Sequence, residues 1–494
     1  MTASLMQGPE AASPMLARRI QIHLPPGARE VDFSSLAEHA HGAALDAVSI
    51  ADLLRNAFVY PPHSIYQDVK VAIIAGFDPA HDLHEDPRFR FVYRPAPMSV
   101  RPPSPVDDEQ LLKTYHELLC EAVAGSCAGM RSPWLLQSGG KDSTSMAIAL
   151  AEAKPQATCI TYLGGHEENE VDSARFVARQ LGLRHEALVC DPGRAYDRYL
   201  AMVPRMPLLT ADFAMLSYAD LATEIAAYDG DGIVDAMGSD PYFGLPTHWR
   251  QRVQALLARS VRLPRSVLEW GLIDRNFKLC YALGTLQMNG FERFYPGSRF
   301  SDAEVDALFG REISGQSRQR LETFRAEITA AGSMEERRRL AATIVEAATF
   351  GKGMYAANAL ALRVVYPYCD ARLCDWVFRE VPHDRRIGPG GVNKVLVRRH
   401  IARHFEQLPY VKAKGCFRFD LCGLARQRFE QVYGYAVEAR DLLPGAPGWL
   451  LANRHRLDNK YFASKFYLLA ITLPWLHSRL GGGAGAKPAG GALP

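Results

Sequence analysis

The segment that most narrows the fold of this chain is Ser138-Gly139-Gly140-Lys141-Asp142-Ser143, set between an apolar run at 133–137 and a helix-forming run at 144–150. A strand that passes through small residues into a helix defines a βα unit and leaves the first helical N–H groups without partners. Two glycines let the backbone approach a ligand closely, and the positive end of the helix favours an anion there. Ser138 and Ser143 add hydroxyl donors, and Asp142 can hold a divalent cation between phosphates. A plain glycine turn with Asp and Ser as helix caps would explain a bare S-G-G. The whole string, Lys141 included, instead reads as a pyrophosphate-binding loop for a nucleotide. It lacks the G-x-x-x-x-G-K-S/T spacing of a Walker A loop.

The surrounding pattern predicts the sheet that carries this loop. Apolar strands are expected at 134–137, 158–163, 185–189 and 232–236, with helices at 107–128, 170–181 (ended by Gly182) and 213–228. Strands alternating with helices imply an α/β fold with a doubly wound parallel sheet. Ligands of such sheets bind at the carboxyl ends of the strands, where the glycine loop falls. Beyond about residue 250 the pattern is helical. Residues 1 to about 30 read as loose, 71–75 and 89–93 as strands that could pair, 101–106 as a linker, and the glycine-rich stretch from 481 as a flexible tail. The apolar run 466–476 is too short to span a bilayer, contains Pro474, and reads as a buried terminal helix.

Composition removes several classes. A formal net charge of +3, from 57 basic and 54 acidic residues, gives no case for nucleic acid. The nine cysteines include no C-x-x-C pair, which argues against a zinc ribbon, an iron–sulfur centre or a redox dithiol. With no secretory pattern at the amino terminus, a reduced, cytoplasmic setting without membrane contact is the expectation.

A second small-residue loop, Met237-Gly238-Ser239-Asp240, follows the expected fourth strand and should share the edge of the first. Asp142 and Asp240 could then hold one Mg²⁺ among substrate phosphates. Downstream lie a basic, glycine-bearing segment ending in Lys394 and a second one containing Lys412 and Lys414; lysines there could neutralise charge that develops in phosphoryl transfer. Arg398, Arg399 and Arg403, and the run Arg337-Arg338-Arg339, read as solvated helix faces.

Taken in order, S-G-G-x-D-S, G-S-D-x-x-F-G, Y-P-Y-C-D-A-R-L, N-K-V-L-V-R-R and K-x-K-G-x-F resemble the synthetase domain of the asparagine synthetase family, within the PP-loop ATP pyrophosphatases. The resemblance covers roughly residues 45 to 480. It implies that 1–105 is a vestige of a glutaminase half with its linker, 106–250 the ATP-binding α/β part, 251–480 a helical part, and 481–494 a tail. The implied chemistry uses ATP and Mg²⁺. A carboxylate attacks the α-phosphorus, pyrophosphate leaves, and an amine attacks the acyl-adenylate to give an amide. By position, Ser138, Gly139, Gly140, Lys141, Asp142 and Ser143 would hold pyrophosphate, with Gly238 near the nucleotide. Leu136 with Tyr162 or Leu163 would flank the adenosine. Lys414 would stabilise the pentavalent α-phosphate and Lys394 would act on the phosphates.

Departures from the family pattern bear on the substrate. Where glutaminase-bearing members start with a nucleophilic cysteine at residue two, this sequence has Thr2, so ammonia from glutamine is not expected. The second loop carries Met237 where the family has glutamate. The family's E-x-R-V-P segment appears here around Arg363 with no glutamate, which leaves no evident base for the amine. As an amide ligase without glutaminase the chain resembles the β-lactam synthetases, which carry a tyrosine where Met237 stands, and the lasso-peptide cyclases: enzymes of specialised metabolite, antibiotic or peptide biosynthesis that take small-molecule or peptide carboxylates and amines. A homodimer or a partner enzyme of the same pathway is compatible with that reading. The alternatives are another PP-loop enzyme, such as a tRNA-modifying one, and a nucleotide-binding protein without activity.

Overall fold

A computed structural model describes residues 20–23, 33–40, 43–73, 107–164, 170–245, 275–286, 300–406 and 419–480. The strands are β1 (Ile20–His23), β2 (Lys70–Ile73), β3 (Pro133–Leu136), β4 (Thr158–Leu163), β5 (Arg184–Val189), β6 (Gly232–Val234), β7 (Arg363–Val365) and a hairpin of β8 (Ile387–Gly388) and β9 (Val392–Asn393). The helices up to the second loop are α1 (Phe33–His39), α2 (Ala47–Asn56), α3 (Asp108–Ser126), α4 (Lys141–Ala153), α5 (Glu170–Gln180), α6 (Pro192–Met202), α7 (Met215–Ala227) and α8 (Asp240–Phe243). After them come α9 (Phe277–Leu286), α10 (Asp302–Phe309), α11 (Ser314–Glu322), α12 (Arg325–Ala330), α13 (Met334–Ala359), α14 (Ala371–Glu380), α15 (His383–Arg386), α16 (Val395–His404), α17 (Leu421–Glu438), α18 (Ala446–Asn453) and α19 (Lys460–Leu480).

The fold is α/β. Five parallel strands run in the order β5-β4-β3-β6-β7, with Trp134 beside Thr158 on one side and beside Ile233 on the other. Connections leave β3 outward in both directions, which makes the gap between β3 and β6 the topological switch point. Loops after these two strands therefore meet at the carboxyl edge. The central strands are apolar on both faces, as a sheet covered twice requires. Trp134, Ile160 and Ile233 enter one core, which also takes in helices from both ends of the described chain. Leu135, Cys159 and Val234 enter the other, with α3, α4 and α16. At the edge, β5 exposes Arg184 and Glu186, charges that discourage further strand pairing.

Local chemistry sets the helix ends. Asp107 accepts the Glu109 N–H at 3.0 Å to start α3. Gly182 takes φ +71° while the Leu183 N–H closes on the Ala178 carbonyl at 2.9 Å, stopping α5 as expected. The terminal helix α19 is buried from Tyr461 to Leu476. Pro474 has no N–H for the Ala470 carbonyl, and the Tyr196 hydroxyl donates to that carbonyl instead, at 3.1 Å. Among the described residues no helix is long and apolar enough to cross a membrane.

Four features differ from the sequence expectation. Residues 20–23 form a strand rather than loose chain, and they pair antiparallel with β2; the partner proposed for 71–75, at 89–93, lies outside the described residues. The sheet gains its fifth strand, β7, from a stretch read as helical, because three residues are too few to display a period. The β8–β9 hairpin also interrupts that region, its turn made by Gly390 and Gly391 at φ +70° and +75°. Arg337, Arg338 and Arg339 are half-buried rather than solvated, Arg339 lying 5.2 Å over the Phe378 ring.

Candidate active site

The S-G-G-K-D-S segment forms the turn between β3 and α4. Gly140 caps α4 without a side chain, and serine hydroxyls hold the turn: Ser143 Oγ donates to the Ser138 carbonyl at 2.8 Å and accepts the Ser138 N–H at 3.1 Å. The Gly140 N–H donates to Ser138 Oγ at 3.2 Å. The loop is thus ordered by its own hydroxyls, with the amino end of a thirteen-residue helix at the switch point. Leu136 ends β3, partly buried.

The second loop meets the first through one buried lysine. Lys394 Nζ lies 2.8 Å from both Asp142 carboxylate oxygens, 2.7 Å from Ser239 Oγ and 2.5 Å from Asp240 Oδ1. Ser239 in turn donates to Asp142 Oδ1 at 3.2 Å. The lysine is 2% exposed and stands at the cap of α16 with φ +57°, a left-handed conformation that costs a non-glycine residue about 1 kcal/mol. The preceding hairpin delivers it there. Burial opposes its charge most strongly, but the Asp142 and Asp240 carboxylates outweigh that, and the ammonium is held above its ordinary range. Gly238, at φ +99°, supplies the bend that turns the second loop toward the first.

Two carboxylates facing one ammonium leave this group of three side chains net negative. Both acids converge on the Lys394 ammonium, and the lone pairs that it leaves on their oxygens are hard donors of the kind that Mg²⁺ takes. Asp240 is 45% exposed on its side chain and Asp142 16%, so the pair lies at the mouth rather than in the core.

The structure therefore brings together Ser138, Gly139, Gly140, Lys141, Asp142, Ser143, Gly238, Asp240 and Lys394. Tyr162 and Leu163 end β4 on the same edge. The Tyr162 hydroxyl donates to Asp220 at 3.2 Å, within a buried knot where Arg194 and Arg198 clamp that carboxylate at 2.8 and 2.7 Å. Lys414 lies outside the described residues. Arg399 and Arg403 spend their charge on surface pairs with Asp108 and Glu109, each at 2.5 Å.

Three groups at this edge were not anticipated. Ser239, in the sequence only one small residue of the second loop, touches both Asp142 and Lys394. Asp235, buried just past β6, accepts the Tyr218 hydroxyl and, at 3.1 Å, the Met237 N–H. Lys352 on α13, also buried, lies 5.9 Å over the Tyr218 ring and 3.4 Å from Asp212. A carboxylate closing an apolar strand was the available sequence signal for Asp235; nothing local marks Lys352. The two departures also find their places. Met237 packs against the apolar core. Arg363 opens β7 opposite Gly232, at the amino end of the sheet, and donates to the Ala128 carbonyl at 2.7 Å. It therefore points away from the site, and Tyr366 occupies the carboxyl end.

Residues 114–427 match the sequence profile of the asparagine synthase family. No curated protein gives a match. Among solved structures, an NMN synthetase from Francisella tularensis is similar at 15% identity and TM-score 0.22, over 44% of this chain and 93% of that one. An NAD⁺ synthetase from Burkholderia pseudomallei is similar at 14% identity and TM-score 0.19, over 46% and 93%.

Proposed function

The chain belongs to the asparagine synthase family, and from that premise we propose that it is an AMP-forming amide ligase. A substrate carboxylate oxygen bonds to the α-phosphorus of ATP as the α–β bridging bond breaks and pyrophosphate departs. An amine then displaces AMP from the acyl-adenylate, giving the amide and losing a proton. The observation that carries this reading is the Lys394 ammonium held among Asp142, Asp240 and Ser239 where two loops meet.

Each role follows from chemistry at that point. The N–H groups and hydroxyls of 138–143 hold the pyrophosphate oxygens. Lys394 carries charge that compensates the leaving pyrophosphate, with Lys414 as the second lysine proposed for the α-phosphate. Asp142 and Asp240 would hold Mg²⁺, which when bound neutralises the phosphates. Tyr162, Leu163 and Leu136 would border the adenosine. Asp235, beside the second loop and hydrogen-bonded to Tyr218, is our candidate to take the amine proton. We further propose that the amine belongs to a substrate rather than to glutamine, in the biosynthesis of a specialised metabolite or peptide. Met237, where the family has glutamate, supports a diverged substrate site.

Exchange of labelled pyrophosphate into ATP, driven by a panel of amino acids and peptide acids, tests the reading. Exchange with some carboxylates and amide formation without glutamine are expected. Activity that requires glutamine would remove the amine assignment, and nucleotide turnover to ADP would remove the ligase chemistry itself.

A further inference from the structure

On the side of the sheet that carries α3, α4 and α16, a second set of side chains converges. His116 on α3 meets His400 and His404, one turn apart on α16, and a ring nitrogen from each lies within 4.8 Å of the other two. His116 Nδ1 and His400 Nε2 are 3.0 Å apart. Hydrogen positions around them follow from their other partners. His116 Nε2 lies 2.9 Å from Glu152 Oε2, a carboxylate that only accepts, so Nε2 bears a hydrogen, and in the tautomer with that hydrogen alone Nδ1 presents its lone pair. His404 Nδ1 lies 3.0 Å from the His400 carbonyl and bears a hydrogen, so that Nε2 is the nitrogen it can offer a metal.

His400 is fixed by a relay of hydroxyls. Its Nδ1 lies 2.9 Å from Ser145 Oγ, Ser145 lies 2.9 Å from the Tyr115 hydroxyl, and Tyr115 lies 3.1 Å from that of Tyr368. Tyr368 donates to the Asp142 carbonyl at 3.3 Å. Each hydroxyl has one hydrogen, so with the last committed to a carbonyl the donors run from Ser145 toward Asp142. His400 Nδ1 is then the first donor, and Nε2 is a lone pair aimed at the lone pair of His116. Two such lone pairs at 3.0 Å repel unless a proton or a metal cation lies between them.

We propose that His116, His400 and His404 bind one divalent transition-metal ion of zinc's ligand preference, which clamps α16 to α3. Each ring has its second nitrogen engaged, by the Glu152 carboxylate, the Ser145 hydroxyl or a main-chain carbonyl, the arrangement that orients metal-bound imidazoles. Three imidazoles with water in the fourth position suit Zn²⁺. Tetrahedral Zn–N bonds of about 2.0–2.1 Å need nitrogens roughly 3.3 Å apart, so the closest pair must open by only a few tenths of an ångström. The same helix α16 bears Lys394 at its cap, six residues before His400, so the ion braces the element that presents the lysine. A competing set uses Cys120, whose Sγ is 3.6 Å from His116 Nε2, together with Glu152. It requires the nitrogen already protonated toward Glu152.

Titration of the chelator-treated full-length protein with Zn²⁺ against a chromophoric chelator, and in parallel with Co²⁺, tests the site. One equivalent should bind with a rise in melting temperature, and Co²⁺ should show the visible bands of a four-coordinate nitrogen site. Glu152→Gln should weaken zinc affinity by about 10–100-fold. His404→Ala, at an exposed ligand where folding is not at stake, should abolish stoichiometric binding, and Cys120→Ser should leave it unchanged. Absence of stoichiometric binding would overturn the proposal. So would binding that survives His404→Ala but is lost, with a thiolate-to-cobalt band, in Cys120→Ser.

Discussion

Replacing Lys394 by Met keeps the length and apolar stem of the side chain and deletes its charge. Asp142 and Asp240 then face each other without the ammonium that now touches both, and the Ser239 hydroxyl loses a donor. Removing one partner of a buried pair costs about 3–5 kcal/mol. Asp240 is nearly half exposed and can rehydrate, which places the expected loss near the lower end, about 3 kcal/mol. The left-handed backbone at 394 remains strained in the variant and contributes nothing to the difference. Urea unfolding near neutral pH, with chelator and then with millimolar Mg²⁺, measures the effect. The double variant Lys394→Met/Asp142→Asn should recover about 1–3 kcal/mol through coupling of the two sites. Mg²⁺ should stabilise the single variant more than the wild type, because it replaces the missing cation. Pyrophosphate exchange should fall by about 10²-fold or more in both variants, since stability returns without the charge to which the proposed function assigns catalysis. A single variant that loses less than about 1 kcal/mol, or a double variant less stable than either single one, would refute the electrostatic reasoning.

Acid sensitivity follows from His63. Burial first, then Arg320 and Lys70, push its pKa down to about 3 from 6.5, and Lys70 donates to its Nδ1 at 3.3 Å. The unfolded chain takes the proton first, so this contribution is complete above pH 6.5 and is lost as pH falls toward 3. The whole span is worth about 5 kcal/mol at order-of-magnitude level, and denaturant melts at several pH values should show a flatter acid limb in His63→Gln. Asp235→Asn should slow amide formation by about 10²-fold or more while pyrophosphate exchange continues, as a parallel assay of the two half-reactions would show. Equal loss in both would instead make Asp235 part of the nucleotide site. Arg363→Gln should leave exchange untouched and cost about 1 kcal/mol in urea unfolding, because it removes only main-chain contacts at the far end of the sheet.

Much of the carboxyl edge of the sheet was legible in the sequence because its signals are local. The strand at 158–163 and the end of α5 at Gly182 follow from apolar runs and glycine chemistry. The meeting of the two loops follows from the strand order of a doubly wound sheet. What escaped is non-local or too short. β7 has three residues and no period of its own, and β1 finds β2 about fifty residues away. Lys394 could be placed near phosphates by resemblance, but not shown to bridge Asp142 and Asp240, because its position depends on a left-handed cap and a glycine hairpin acting together. The arginines at 337–339 look solvated by composition, yet Arg339 lies over Phe378 from the chain after β7 and Arg338 reaches the Leu245 carbonyl. His116 and His400 are 284 residues apart, and no spacing rule links them.

The central claim is that the two loops and Lys394 cut ATP between its α and β phosphates, and the products decide it. ATP labelled at the α- and γ-phosphates, turned over with Mg²⁺ and an exchange-competent carboxylate, should give α-label in AMP and γ-label in pyrophosphate. Neither should form in Asp142→Asn or Lys394→Met. Recovery of α-label in ADP with γ-label in inorganic phosphate, or unchanged product formation in those variants, would contradict the account.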